Sequence, residues 1–339
     1  LLSKAQHIGW LPTVRMGFRK ALRPWLTRRH RAHVLRQPYQ VGRRELAGAF
    51  GINPNDLFAV VEQVRVALPQ RLPVSPDRVA AIRRVYEQQA PGLYEATIES
   101  ADRVCRHVFD LLGSGPIALG ATIDWHRDFK SGYRWNPEQC FLDVAHGHEA
   151  GVDIKVPWEL SRGHHLVLLA QASLLTGDAK YAQECVTQLS SWIAANPTGR
   201  GVNWSCPMDV AIRAVNWVWA VGLLAASPLT TQDWLADVLA SLVAHGRFLM
   251  DNLEVRDDGV TTNHYLTDLV GLLYLGLCLK EVREADGWAT FAVRALVREM
   301  DRQVLAESLP GVLSSATSVR VKLRKARGAQ SGMHCQLEL

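Results

Sequence analysis

The most constraining feature of this chain is a threefold pairing of helical segments. In each pair the first helix is the more apolar, and its mid-section, as in VNWVWAVGLL or DLVGLLYLGL, is apolar on nearly every face. The second is amphipathic, as in the segment that carries Lys180, Gln183, Glu184 and Gln188. A helix apolar all round has to be covered on every side, whereas an amphipathic one covers a neighbour with one face and meets water with the other. The pairs are Pro157–Thr176 with Asp178–Asn196, Cys206–Ala226 with Asp233–Asn252, and His264–Glu281 with Glu284–Leu305. Short returns (TGD, SPLTT, KEVREADG) make each pair an antiparallel hairpin. Two layers follow, with buried inner and half-exposed outer helices. The expected fold is all-α, an incomplete (α/α) toroid or barrel of antiparallel helical hairpins.

The chain before residue 150 is less regular. Residues 1–50 are basic, with helical stretches broken by Pro12, Pro24 and Pro38. Pro54–Pro69 reads as one helix with Asn55 as its N-cap, and further helices are expected over Pro76–Gln89 and Leu93–Leu112. The segment 113–135 is rich in glycine, aromatic and β-branched residues, and reads as irregular chain or a short β-hairpin. The expected organisation is an N-terminal helical region to residue 112, core hairpins over 113–305, and an atypical tail over 306–339.

Composition removes several classes of function. Of 339 residues, 48% are apolar and 21% charged, an ordinary globular balance with no signature of disorder. The net charge of +5 suits an acidic substrate but is too diffuse for a nucleic-acid binder, and no nucleic-acid-binding motif is present. Six scattered cysteines show no CxxC spacing, so neither a metal site nor a disulfide framework is expected, and no cofactor is implied. The longest apolar runs fall short of the ~20 residues that span a bilayer. The chain starts with Leu rather than Met, and the expectation is that its true start lies upstream.

The loops entering the first helix of each hairpin are chemically rich: GVDIKVPWE, NPTGRGVNW and DDGVTTNH. Up-down hairpins place all three at one end of the bundle. That end gathers Trp158, Glu159 and Arg162, then Arg200, Asn203 and Trp204 with Arg213 deeper in the helix, then Asn263 and His264. Arg134 and Lys155 flank the set. Four of the eleven tryptophans (Trp125, Trp135, Trp158, Trp204) lie in or beside polar loops, where indole can stack on a sugar ring or simply pack. Glu159 and Arg162, three residues apart, can equally form only a salt bridge. Asn263-His264 opens a buried helix, where the positive end of the dipole favours an anion.

Arginine, lysine and loop tryptophan together suit an acidic sugar polymer. Abstraction of the proton α to a uronate carboxylate requires that carboxylate to be neutralised by a donor such as Asn, His or Arg. Asn263-His264 meets that need. A hydrolase would need two carboxylates across the scissile bond, for which Glu159 and Asp209 are the obvious inner-helix acids, with Asp124 and Asp153 in loops.

The stretch from GVDIKVPWELSRGHH to DVAIRAVNWVWA, with DDGVTTNHYLTDLVGLLYLGL and the upstream IDWHRDFKSGYRW, resembles the N-terminal toroid of the heparinase II/III-like polysaccharide lyases. The likeness is strongest over residues 120–282 and extends from the N-terminus to about 305. It implies an (α/α) toroid followed by a β-sandwich, β-elimination of uronic-acid polysaccharides, and a periplasmic or cell-envelope location. Asn263 matches the family's carboxylate-neutralising asparagine, and His264 follows it as in the motif. Tyr265 lies about 100° round the helix from His264 and is not given the role of base. The family draws a catalytic Tyr from the segment after the toroid's last helices and a His from the sandwich. Residues 306–339 contain no Trp, Tyr or Phe and carry five Lys or Arg. The tail is therefore expected to be out of frame or the gene truncated. The leading expectation is the substrate-binding toroid of a uronate-polymer lyase; the alternatives are a non-catalytic acidic-carbohydrate binder and an (α/α) glycoside hydrolase.

Overall fold

The computed structural model describes Ala32 and residues 39–303, apart from 91, 148–149, 256–258 and 260. The basic N-terminal stretch, the Asp257-Asp258 turn and the tail after 303 lie outside the described residues. The chain divides into two compact units, Leu1–Leu296 and Val297–Leu339; the second is described only to Gln303 and is helical there.

Among the described residues from 39 onward, four helices precede the hairpins: α1 (Arg43–Phe50), α2 (Leu57–Arg71), α3 (Val79–Gln89) and α4 (Leu93–Cys105). The expected Pro54–Pro69 helix begins instead with the 3-10 turn Pro54–Asp56, and its cap is Asn53, whose side chain accepts from the Asn55 N–H at 3.0 Å. A carboxamide placed before the proline can reach forward to the free amides of the first turn, which Asn55 itself cannot do. The expected Leu93–Leu112 helix stops at Cys105, because His107 and Leu112 both adopt positive φ. Between them runs the two-residue strand β1 (Val108–Phe109), paired antiparallel with β2 (Ile117–Ala118) in the register Val108 to Ala118. The hairpin anticipated over 113–135 therefore starts earlier in the chain.

The hairpin pattern holds. Its helices are α5 (Lys155–Ser161), α6 (His164–Thr176), α7 (Ala179–Ala195), α8 (Pro207–Leu224), α9 (Gln232–Asp251), α10 (Asn263–Cys278) and α11 (Ala285–Gln303). The expected Pro157–Thr176 helix is broken into α5 and α6 at Gly163, which sits in the left-handed region at φ +74. A side chain there would be strained, and its Cβ would press on Leu166 and on the Trp217 indole.

The first helices of the hairpins pack side by side, with α8 between α6 and α10. Trp217, Val218, Val210 and Ala211 of α8 are fully buried, as the all-round apolar pattern requires. Contact with α10 is close at Gly271, where an added Cβ would lie 2.7 Å from the Ala211 Cβ. Of the outer helices, α9 is buried further than an amphipathic partner needs to be, because α1 and α2 cover its other side. Arg71 at the end of α2 clasps Glu281 with both terminal guanidinium nitrogens and donates to the Cys278 carbonyl at 2.7 Å, fixing the far end of α10. The all-α expectation of antiparallel helical hairpins is what the structure shows. No helix among the described residues is long and apolar enough to cross a membrane.

Candidate functional site

The starts of α8 and α10 lie together, beside the end of α5. Helix α8 opens with Pro207 and leaves its first N–H groups without intrahelical partners. Glu254, from the segment after α9, fills one of them: its Oε2 accepts from the Met208 N–H at 2.9 Å. A carboxylate is favoured there by the helix dipole as well as by the hydrogen bond. The Glu254 N–H in turn donates to Asp268 Oδ2 at 2.8 Å, inside α10. Burial pushes the Asp268 carboxyl up to about 8.

The other Glu254 oxygen lies 3.0 Å from His264 Nδ1. His264 is in the first turn of α10, whose cap is Thr262, the hydroxyl of which accepts from the His264 N–H at 3.3 Å. Asn263 is the first residue of that helix. It is exposed, and no hydrogen bond to its carboxamide is found among the described residues, while its carbonyl takes the Thr267 hydroxyl at 2.9 Å.

Arg162 joins this group from α5. Its Nε donates to Asp209 Oδ1 at 2.6 Å, and its fork also holds Glu159. The two carboxylates raise the Arg162 pKa against the opposing pull of burial. Beside Asp209 lies Cys206, whose thiol is driven well above the usual range by burial and then by the Asp209 and Glu254 carboxylates. Two of the three loop groups anticipated from the sequence thus meet at one end of the helices: Glu159 and Arg162 with Asp209, and Asn263 and His264 with Glu254. Cys206, Glu254 and His264 each direct a donor atom to the same spot, all within 4.8 Å of one another. They come from three separate segments, so no motif spacing in the sequence marks the grouping.

The remaining expected residues are placed otherwise. Trp125, Asn203, Trp204 and Arg213 were expected to touch substrate; the structure buries all four, with exposures of 2% or less. No face of theirs is open to a sugar. The Arg213 guanidinium lies 4.2 Å from the centre of the Trp192 ring and 5.0 Å from that of Trp204. It donates to His245 Nε2 at 2.9 Å and to the Asn203 carbonyl at 3.2 Å. Burial pulls its pKa down to about 9. His245 lies 2.7 Å from the Ser241 carbonyl through Nδ1, so the tautomer consistent with both contacts carries its proton on Nδ1. Asn203 donates to the Trp125 carbonyl at 2.8 Å and to Asn196 Oδ1 at 2.7 Å. Trp125 donates its indole N–H to Ser191 Oγ at 3.1 Å. These residues build the floor under the loops.

Trp158 is half-buried, with its indole N–H on the Val202 carbonyl at 2.9 Å and its ring edge-on to His146. Arg134 is exposed and bonded to Asp124 at 2.7 Å; Arg200 donates to the Glu138 carbonyl at 3.0 Å; Lys155 is exposed. Among the expected site residues, these and Asn263, with the partly exposed Glu159, Arg162 and His264, keep accessible surface.

The family model described as Heparinase II/III N-terminus matches residues 76–314. A heparin-sulfate lyase of Pedobacter heparinus is 28% identical over 167 residues, 48% of this chain and 24% of the relative. One from Bacteroides stercoris is 24% identical over 208 residues, 55% of this chain and 30% of the relative. This chain thus spans less than a third of the length of either. The crystal structure of a heparan sulfate lyase from Pedobacter heparinus superposes with a TM-score of 0.51 at 23% identity, over 67% of this chain and 34% of that one. A heparinase III gene product with methylated lysines gives 0.50 at 21% identity, over 68% and 37%. The shared helical fold, and a family match over more than half its length, make this chain a member of the heparinase II/III N-terminus family.

Proposed function

We propose that this chain is the substrate-binding helical part of a lyase that cleaves uronic-acid-containing polysaccharides by β-elimination. The observation that carries the reading is Asn263: an exposed carboxamide without a partner among the described residues, at the positive end of α10. An amide N–H donated to a uronate carboxylate stabilises the charge that spreads onto it as the α-proton leaves. The first-turn amides of α10 add a favourable field for the same anion. His264, held by Glu254, is fixed beside it rather than free to swing. A base then removes the proton, the bond to the leaving sugar oxygen breaks, and an unsaturated uronate results; no base is assigned to this chain. Arg134, Lys155 and Arg200 supply exposed positive charge for the rest of an acidic chain, and Trp158 a partly open indole face. The names of the relatives point to a heparan-type substrate.

The hydrolase alternative has no support in the geometry. One carboxyl would have to be free to protonate the leaving oxygen, and both Glu159 and Asp209 are engaged by Arg162.

The test is calorimetric titration of the chain with a heparan sulfate oligosaccharide at low salt, in parallel with ultraviolet detection of unsaturated product. Binding that weakens with salt and with Asn263→Ala is the expected result. An absence of affinity for any uronate polymer, in a folded protein, would overturn the reading.

A further inference from the structure

We infer that Cys206, Glu254 and His264 form a binding site for one divalent metal ion of the zinc class, at the end of the helices that carries Asn263. The Cys206 Sγ, a Glu254 oxygen and the His264 Nδ1 lie within 4.8 Å of one another. Ligand atoms around a tetrahedral zinc, with metal–ligand bonds of 2.0–2.3 Å, stand roughly 3.3–3.8 Å apart. Closing the set therefore takes side-chain movements of about 1 Å on that geometry, without moving a helix.

Each donor is aimed by its own local structure. Cys206 immediately precedes the proline that starts α8, and His264 is fixed in the capped first turn of α10. Glu254 is anchored on both sides: its Oε2 takes the Met208 N–H, and its own N–H is held by Asp268. That leaves Oε1 pointing at His264. A carboxylate that ligates a metal is commonly steadied in this way, by a hydrogen bond to its other oxygen. The surroundings favour a cation. Glu159 and Asp209 share the guanidinium of Arg162, and one oxygen of the buried Asp209 has no hydrogen-bond partner among the described residues.

The donor types select the ion. A thiolate with an imidazole and a carboxylate suits zinc or cobalt; calcium and magnesium want oxygen alone. Three protein ligands leave a fourth position open, as in zinc sites that hold a water or substrate. The side chains of Glu254 and His264 are 26% and 39% exposed, so solvent reaches the donor group. The inference does not depend on the lyase reading, since metal binding is read spectroscopically.

The experiment is titration of the chelator-treated full chain with Co(II). The expected result is a thiolate-to-cobalt charge-transfer band in the near ultraviolet that saturates at one equivalent and is bleached by zinc. Cys206→Ser should remove the band and Cys140→Ser should leave it. Glu254→Gln and His264→Ala should weaken cobalt binding by more than about 100-fold, beyond the loss typical of an outer-sphere change. No band in the parent protein, or a band that survives Cys206→Ser, overturns the inference. Should Cys206→Ser fail to fold, the two partly exposed ligands decide: unchanged affinity in both overturns it, and loss in both supports it.

Discussion

Arg162 Nε lies 2.6 Å from Asp209 Oδ1, tying the end of α5 to the first turn of α8. Asp209 is 1% exposed and Arg162 21%, so the pair sits at the boundary between core and surface. Its removal is not equivalent from the two sides, because only one partner would be left buried.

Arg162→Ala strands the Asp209 charge in a site that water barely reaches. A loss of about 2–4 kcal/mol in urea unfolding is expected, less than for a fully buried pair because Arg162 is partly solvated. Glu159→Ala, which leaves Arg162 on Asp209, should cost less than half of that. Equal losses in the two variants would refute the assignment of Asp209 as the dependent partner.

Asn263→Asp separates stability from recognition. A carboxylate in the first turn of α10 meets the positive end of the helix, so stability should be unchanged or rise by about 0.3–1 kcal/mol. The same charge repels a uronate, and affinity for a heparan sulfate oligosaccharide should fall by roughly tenfold, about 1.4 kcal/mol. Calorimetry and thermal unfolding on one preparation check both; unaltered affinity would remove Asn263 from the site.

His245 makes stability sensitive to acid. Burial, and then the neighbouring Arg213, holds its folded-state pKa well below the ordinary value of 6.5. The folded chain therefore binds fewer protons than the unfolded one once pH drops below 6.5. The stabilisation is complete above that value and is lost as pH falls towards the folded pKa, by about 1.4 kcal/mol per pH unit for one such group. His245→Gln keeps an acceptor for Arg213 without a titrating ring. Its urea midpoint should decline less steeply than the parent's between pH 6.5 and 5; parallel profiles would count against the neutral, buried histidine.

Two glycines should respond oppositely to alanine. Gly271→Ala forces a methyl to within 2.7 Å of the Ala211 Cβ, where α10 packs directly on α8, and should cost about 1–3 kcal/mol as overpacking does. Gly48 lies within α1 with nothing inside 4 Å of an added Cβ, so Gly48→Ala should stabilise by about 0.5–1 kcal/mol. Denaturant midpoints of the two variants against the parent test the packing directly.

The sequence by itself determined the helical hairpins and their two layers. Periodicity and the all-round apolar segments are local properties, and a helix such as α8 that is apolar on every face has one physical option, to be covered. The place of Asn263 at the start of α10 was legible for a related reason, since a polar pair at the mouth of a buried helix is a one-dimensional signal. Only the tertiary structure decided which polar residues near that end face water. Trp204 and Arg213 read as site residues because side-chain chemistry is visible in sequence, but Trp192, Trp204 and His245, from three different segments, enclose the guanidinium and withdraw it from solvent. Glu254 was invisible for the converse reason: an ordinary acid in a connecting segment acquires meaning through the Met208 N–H and the His264 ring it reaches. Burial and convergence are sums over distant segments, and those sums exist only once the helices have packed.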